Sequence, residues 1–123
     1  MFLDLTLDIC KYSHILEWAN SQNNKHIAMG HIGTHLDVYE RSNISLDYFK
    51  SRGVLFDVRN IEEVGVDDID LSKIMDNDFV LFRSGAMENK DYGCREYFDY
   101  NFQLSNELIN VLISKKIRFI GID

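Results

Sequence analysis

Leu3, Leu5, Leu7 and Ile9 alternate with Asp4, Thr6 and Asp8, the period of two that marks a half-buried strand. The spacing then lengthens. Ser13 is placed to cap a helix running to about Asn20, with Ile15, Leu16 and Trp18 as its apolar members. The polar cluster from Ser21 to Lys25 reads as a loop, and His26 to Gly30 as a short extended segment. Ser45 has the character of a second N-cap, for a helix carrying Leu46, Tyr48 and Phe49 and ending near Gly53. Val54 to Val58 predicts a strand. Phe79 to Phe82 is apolar at every position, which suits a strand covered on both faces and therefore central in its sheet. Between Ser105 and about Lys115, Leu108, Ile109, Leu112 and Ile113 recur at helical spacing. Lys115 and Lys116 stand at the end of that helix, where positive charge complements its dipole. Ile117 to Ile122 is the closing strand.

The intervening stretches read as connections. Glu62 to Asp70 is acidic and predicts a solvated link, with Asp70 capping a short helix around Ile74. Ser84 to Gly93 holds two glycines, an asparagine and several charges, and reads as a long loop. Strands and helices mix without an internal repeat, so the class is α/β or mixed α+β. A chain of 123 residues supports one domain, spanning 1–123.

Composition narrows the partners. Hydrophobic residues at 46% and charged residues at 27% are those of a soluble globular protein. Thirteen basic against twenty acidic side chains leave a net charge of −7 with no basic run, which argues against nucleic acid or an anionic membrane surface as partner. The apolar runs are too short to cross a bilayer, and Met1-Phe2-Leu3-Asp4 lacks the basic start of a signal peptide. A cytoplasmic protein is expected, with Cys10 and Cys94 as free thiols in a reducing compartment.

One stretch carries chemistry. His31, His35 and Asp37 place two imidazoles and a carboxylate close together, ligand types suited to a catalytic divalent metal. Gly33 allows the chain to fold tightly between the histidines. Thr34 can hydrogen-bond a neighbouring backbone group, and His35 and Asp37 project to one side if that segment is extended. The His-x3-His spacing alone is equally at home in a polar loop. His14 and His26 read as ordinary surface histidines. Arg83 and Ser84 end the central strand, where they serve either a substrate-binding rim or, for Arg83, a surface salt bridge. Tyr12, Trp18, Tyr39 and Phe49 could line an aromatic pocket, although core packing is the stronger reading.

The string Gly30-His31-Ile32-Gly33-Thr34-His35-Leu36-Asp37 resembles the His-x-Gly-Thr-His-x-Asp signature of the cyclase family, which includes bacterial kynurenine formamidases and isatin hydrolases. Further landmarks follow in the family's order: Asp4-Leu5-Thr6, Phe79 to Gly85, Tyr97-Phe98, Leu104-Ser105, and the run from Ile117 to Gly121-Ile122-Asp123. Together they cover essentially the whole chain. The resemblance implies a swivelling β/β/α-type domain and a zinc or manganese ion held by His31, His35 and Asp37. It also implies a homo-oligomer that hydrolytically opens an amide, formamide or cyclic amide of a small-molecule substrate. Such an ion can ionise a water near pH 7 and polarise a carbonyl, and Asp37 corresponds to the residue that bridges two metals in binuclear members.

Two departures qualify the resemblance. The family's acid/base histidine falls at Arg41 here, and an arginine stays protonated at any working pH. Family members also run on past Gly-Ile-Asp to a further histidine and glutamate, whereas this chain stops at Asp123. The expectation is a C-terminally short member whose site is completed by a partner chain. The alternative is a non-catalytic or truncated metal-binding or interaction protein that keeps the histidine loop.

Overall fold

A computed structural model describes residues 14–23, 33–38, 43–86, 88 and 100–123. The chain divides into two compact units, 1–44 and 45–123. The expected strand from Leu3 to Ile9 and the segment from His26 to Gly30 lie outside the described residues, as do Tyr12, Tyr39, Cys10 and Cys94.

In the first unit, helix α1 spans His14–Ser21, starting directly after Ser13 as expected and ending one residue beyond Asn20. Its final turn is closed by side chains: Ser21 Oγ donates to Trp18 O at 2.6 Å and Gln22 Nε2 to the same oxygen at 3.1 Å. Such bonds satisfy a carbonyl that a helix end leaves unpaired. Ala19 is buried, whereas Trp18 is 36% exposed. His14 is fully exposed and lies 3.5 Å from Glu17.

The second unit is built on a parallel sheet. Strands β1 (Gly53–Asp57), β3 (Phe79–Arg83) and β5 (Phe119–Ile122) pair in the order β1-β3-β5. The uninterrupted apolar run therefore does form the central strand. Register places Val54 beside Val80 and Phe56 beside Phe82, so these four side chains share one face. Helix α2 (Asn106–Ser114) contributes Leu108 and Leu112 to the same core, together with Val58, Val64 and Ile74. Ser105 caps α2, its hydroxyl accepting from Leu108 N at 3.1 Å. Ile120 and Ile122 continue this face onto β5, yet they are 43% and 51% exposed.

Two connections differ from the pattern reading. The acidic stretch is more than a solvated link: Glu63–Val64 forms β2, paired in parallel with β4 (Gln103–Leu104). Val64 is fully buried, and Val66, Ile69 and Leu71 pack against the core. The acids face water while the apolar residues between them turn inward. Asp70 does cap the following 3₁₀ turn, Leu71–Lys73, accepting from Ser72 N at 3.1 Å.

The helix expected after Ser45 is a single 3₁₀ turn, Leu46–Phe49. Tertiary contacts hold it. Phe49 stacks on Phe119 at 5.5 Å, and Tyr48 meets the same ring edge-on at 5.2 Å. The Arg118 guanidinium lies 4.8 Å above Tyr48, and its Nη1 donates to the carbonyls of Asp47, Tyr48 and Lys50 at 3.1–3.2 Å. Those bonds draw on the carbonyls that a continuing helix would use internally.

Below the amino ends of β1 and β3, a buried carboxylate joins three segments. Asp78 accepts from Arg52 Nε at 2.9 Å and Nη2 at 2.6 Å, and from Met75 N at 2.7 Å. Arg52 Nη2 also donates to Lys73 O at 2.7 Å. Burial opposes the charge on Asp78, but the Met75 N–H and the Arg52 guanidinium outweigh it and hold the carboxyl below its ordinary range. Among the described residues, no helix is long and apolar enough to cross a membrane.

Candidate functional site

The histidine loop is described over Gly33 to Val38, which includes two of its three candidate ligands. His31 and Arg41 lie outside the described residues. Gly33 has φ +70°, the left-handed conformation that favours glycine. This turn brings the Gly33 carbonyl to 2.9 Å from His35 Nδ1. A carbonyl oxygen only accepts, so Nδ1 carries the proton and Nε2 is the ring nitrogen whose lone pair suits an ion. His35 Nε2 faces Asp37 Oδ1 at 3.6 Å.

That geometry fits a divalent ion. Bonds of roughly 2.0–2.2 Å from two such atoms at a tetrahedral angle place the donors about 3.4 Å apart. A ligating histidine usually gives its other N–H to a carbonyl or carboxylate, which fixes the ring, and the Gly33 carbonyl does so here. His35 is 37% exposed and Asp37 is 70% exposed, so solvent and a small ligand can reach the pair. Among the described residues, no three His, Cys, Asp or Glu side chains cluster as a metal site; the third member named from sequence is His31.

A second group of polar residues collects in the other unit, at the carboxyl ends of β1 and β3. Parallel α/β sheets commonly bind ligands at this edge. Asp57 and Arg83 are register partners and so project from the same face. Asp57 Oδ1 accepts from Arg59 Nε at 2.8 Å, and Oδ2 from Arg59 Nη2 at 2.6 Å. Arg83 Nη1 is 3.6 Å from Asp57 Oδ2. Glu88 joins the two arginines, Oε2 accepting from Arg59 Nη1 at 3.2 Å and Oε1 from Arg83 Nη2. The salt-bridge reading of Arg83 therefore describes its position in this structure. The hydrogen bond from Arg59 holds Asp57 below the ordinary carboxylate range, and those from Arg83 and then Arg59 do the same for Glu88. Arg59 is raised by the same partners.

The turn after β3 is held from the far end of the chain. Asp123 accepts from Ser84 N at 2.6 Å and Gly85 N at 3.1 Å, filling the kind of backbone concavity that binds anions. Ser84 is buried, its hydroxyl accepting from Ala86 N at 3.2 Å and its carbonyl from Tyr100 Oη at 3.4 Å. Pattern reading missed Arg59, Glu88 and Asp123 as partners here, because nothing in local spacing links residue 123 to residue 84. Gly85 is required twice: its φ is +77°, and a Cβ there would meet Arg59 Cγ at 2.8 Å. Gly85→Ala is expected to cost about 1–3 kcal/mol of stability, measured by denaturant unfolding; a loss below about 0.5 kcal/mol would show that Arg59 shifts aside freely.

Comparison with known proteins adds one match. The family model described as Putative cyclase matches residues 3–123. No curated protein matches the chain, and no solved structure does.

Proposed function

The chain belongs to the Putative cyclase family, and on that premise we propose that it is a metal-dependent hydrolase that opens the C–N bond of an amide, formamide or cyclic amide. The observation that carries this reading is the pairing of His35 Nε2 with Asp37 at 3.6 Å while Nδ1 is held by the Gly33 carbonyl. In the proposal His31, His35 and Asp37 hold zinc or manganese, both of which accept imidazole and carboxylate donors. When bound, such an ion supplies a nucleophile from water at neutral pH and polarises the carbonyl to be attacked. The protein's own part is to orient the donors. The Gly33 carbonyl sets the tautomer and tilt of His35, and the exposed carboxylate of Asp37 completes its side of the donor set. Arg83 is proposed as a substrate-binding residue within the unit 45–123; Ser84, buried with its N–H, hydroxyl and carbonyl all hydrogen-bonded, holds the turn beside it.

Arg41 sets the expected rate. A guanidinium cannot accept a proton from water at neutral pH, but it can hold a substrate carboxylate through two parallel hydrogen bonds. General acid/base groups contribute about 10²–10⁴-fold, so hydrolysis of a formylated arylamine should be slow and should rise in Arg41→His. Steady-state assays of both proteins, with zinc or manganese and after chelation, test this. An unchanged rate in Arg41→His would remove the role assigned to position 41. No turnover in either protein with metal bound would favour the second reading, a non-catalytic metal-binding protein, which the presence of Arg41 supports.

The proposal includes self-association. Ile120 and Ile122 are half exposed on the face that elsewhere forms the core, and exposed strands of this kind tend to pair. Sedimentation velocity at micromolar concentration is expected to show a dimer or larger species. A monomer over that range would contradict it.

A further inference from the structure

We propose that Arg59 and Arg83 form a seat for a small carboxylate anion, and that Glu88 is its resident occupant. The arrangement is more specific than a surface ion pair. Asp57 takes the Nε and Nη2 edge of Arg59 and stands beside Nη1 of Arg83. It thereby orients both guanidiniums and leaves Nη1 of one and Nη2 of the other aimed at a single carboxylate, one oxygen to each arginine. Arginine's planar fork suits this bridging recognition, and charge-assisted bonds of this type are the stronger kind.

Four features mark the seat as built. Arg59 reaches it by passing over Gly85, where any side chain would collide with its Cγ. Glu88 is delivered by a turn closed by the Glu88 N–H to Gly85 O bond at 3.1 Å, and Asp123 anchors the start of that turn. The four side chains are 39–44% exposed, so an anion from solvent can approach them. The position, at the carboxyl end of a parallel sheet, is where such sheets place ligands. The seat lies wholly in the unit 45–123 and does not depend on the metal reading.

Glu88 follows Arg83 by five residues. A carboxylate on so short a tether competes at an effective concentration in the millimolar range, so an added anion binds weakly until that competitor is removed. The test is a titration of the full, chelator-treated chain with sodium benzoate, followed by nuclear magnetic resonance at the arginine side-chain N–H groups. The expected result is that Glu88→Gln binds benzoate about tenfold or more tightly than the parent. Glu88→Asp, whose carboxylate is drawn back by one methylene, should fall between them. Adding Arg59→Met or Arg83→Met to Glu88→Gln should abolish the gain, and neutral benzamide should not bind. Equal affinity in the parent and Glu88→Gln would overturn the proposal. So would tight benzoate binding that survives the loss of either arginine, or a response to benzamide equal to that to benzoate. Use of metal-free protein and a binding readout keeps this outcome separate from any failure of the hydrolase reading.

Discussion

Arg52→Met is expected to lower the unfolding free energy by about 3 kcal/mol, at the low end of the roughly 3–5 kcal/mol typical for breaking a buried ion pair. The low end applies because Arg52 is 48% exposed while Asp78 is only 2% exposed, so water can partly replace the guanidinium. The loss is still large against a total of about 5–15 kcal/mol for a domain. Removing Arg52 leaves Asp78 buried with the Met75 N–H as its remaining partner among the bonds described above. It also removes the Arg52 bond to Lys73 O. The effect should depend on pH with a definite sign. Asp78 is held below its ordinary range, so the stabilisation is complete above the unfolded carboxylate value of about 3.9. It is lost as pH falls through the lowered folded value. Urea unfolding of both proteins at neutral pH and at progressively acid pH checks this. A difference under about 1 kcal/mol at neutral pH, or one that grows on acidification, would contradict it.

His35→Ala is expected to abolish most binding of zinc or manganese while leaving the fold of the second unit intact. The substitution deletes the donor that faces Asp37 and keeps the Gly33 turn. Loss of one of three protein ligands removes much of the binding free energy, and affinity should fall by orders of magnitude. Gly33→Ala is a subtler companion. Nothing lies within 4 Å of a Cβ built there, so its cost is the left-handed φ alone, and it should weaken metal binding by disturbing the carbonyl that orients His35. Calorimetric titration measures both. Unchanged affinity in His35→Ala would show that the loop is not the site.

The strands of the three-stranded sheet, and the central place of one of them, were legible because their signals are local. Phe79 to Phe82 admits no polar face, and the helical spacing of Leu108 and Leu112 marks the side of α2 that reaches the core. Asp70 was recognisable as a cap, since it is a short acceptor just before a turn. Strands β2 and β4 were hidden by their length, two residues each. The acids around Val64 masked the alternation that buries it. The helix expected after Ser45 gave way to contacts from Phe119 and Arg118, more than sixty residues away. Tertiary contact overrode local preference at that point.

The candidate chemistry divides the same way. His35 and Asp37 could be read as a pair because a single residue separates them, at alternate positions just after the turn that Gly33 permits. Arg83 could be singled out because it ends a strand that must be central. Arg59, Glu88 and Asp123 could not, since their partners are set by which strands pair and by the passage of Arg59 over Gly85.

The central claim is that the loop of His31, His35 and Asp37 is a divalent-metal site. Elemental analysis of the protein purified without chelator tests it most directly. The expected result is zinc or manganese close to stoichiometric with the chain, falling to background in His35→Ala. Metal at background in the parent even after incubation with either ion, or equal metal in the parent and His35→Ala, would contradict the claim.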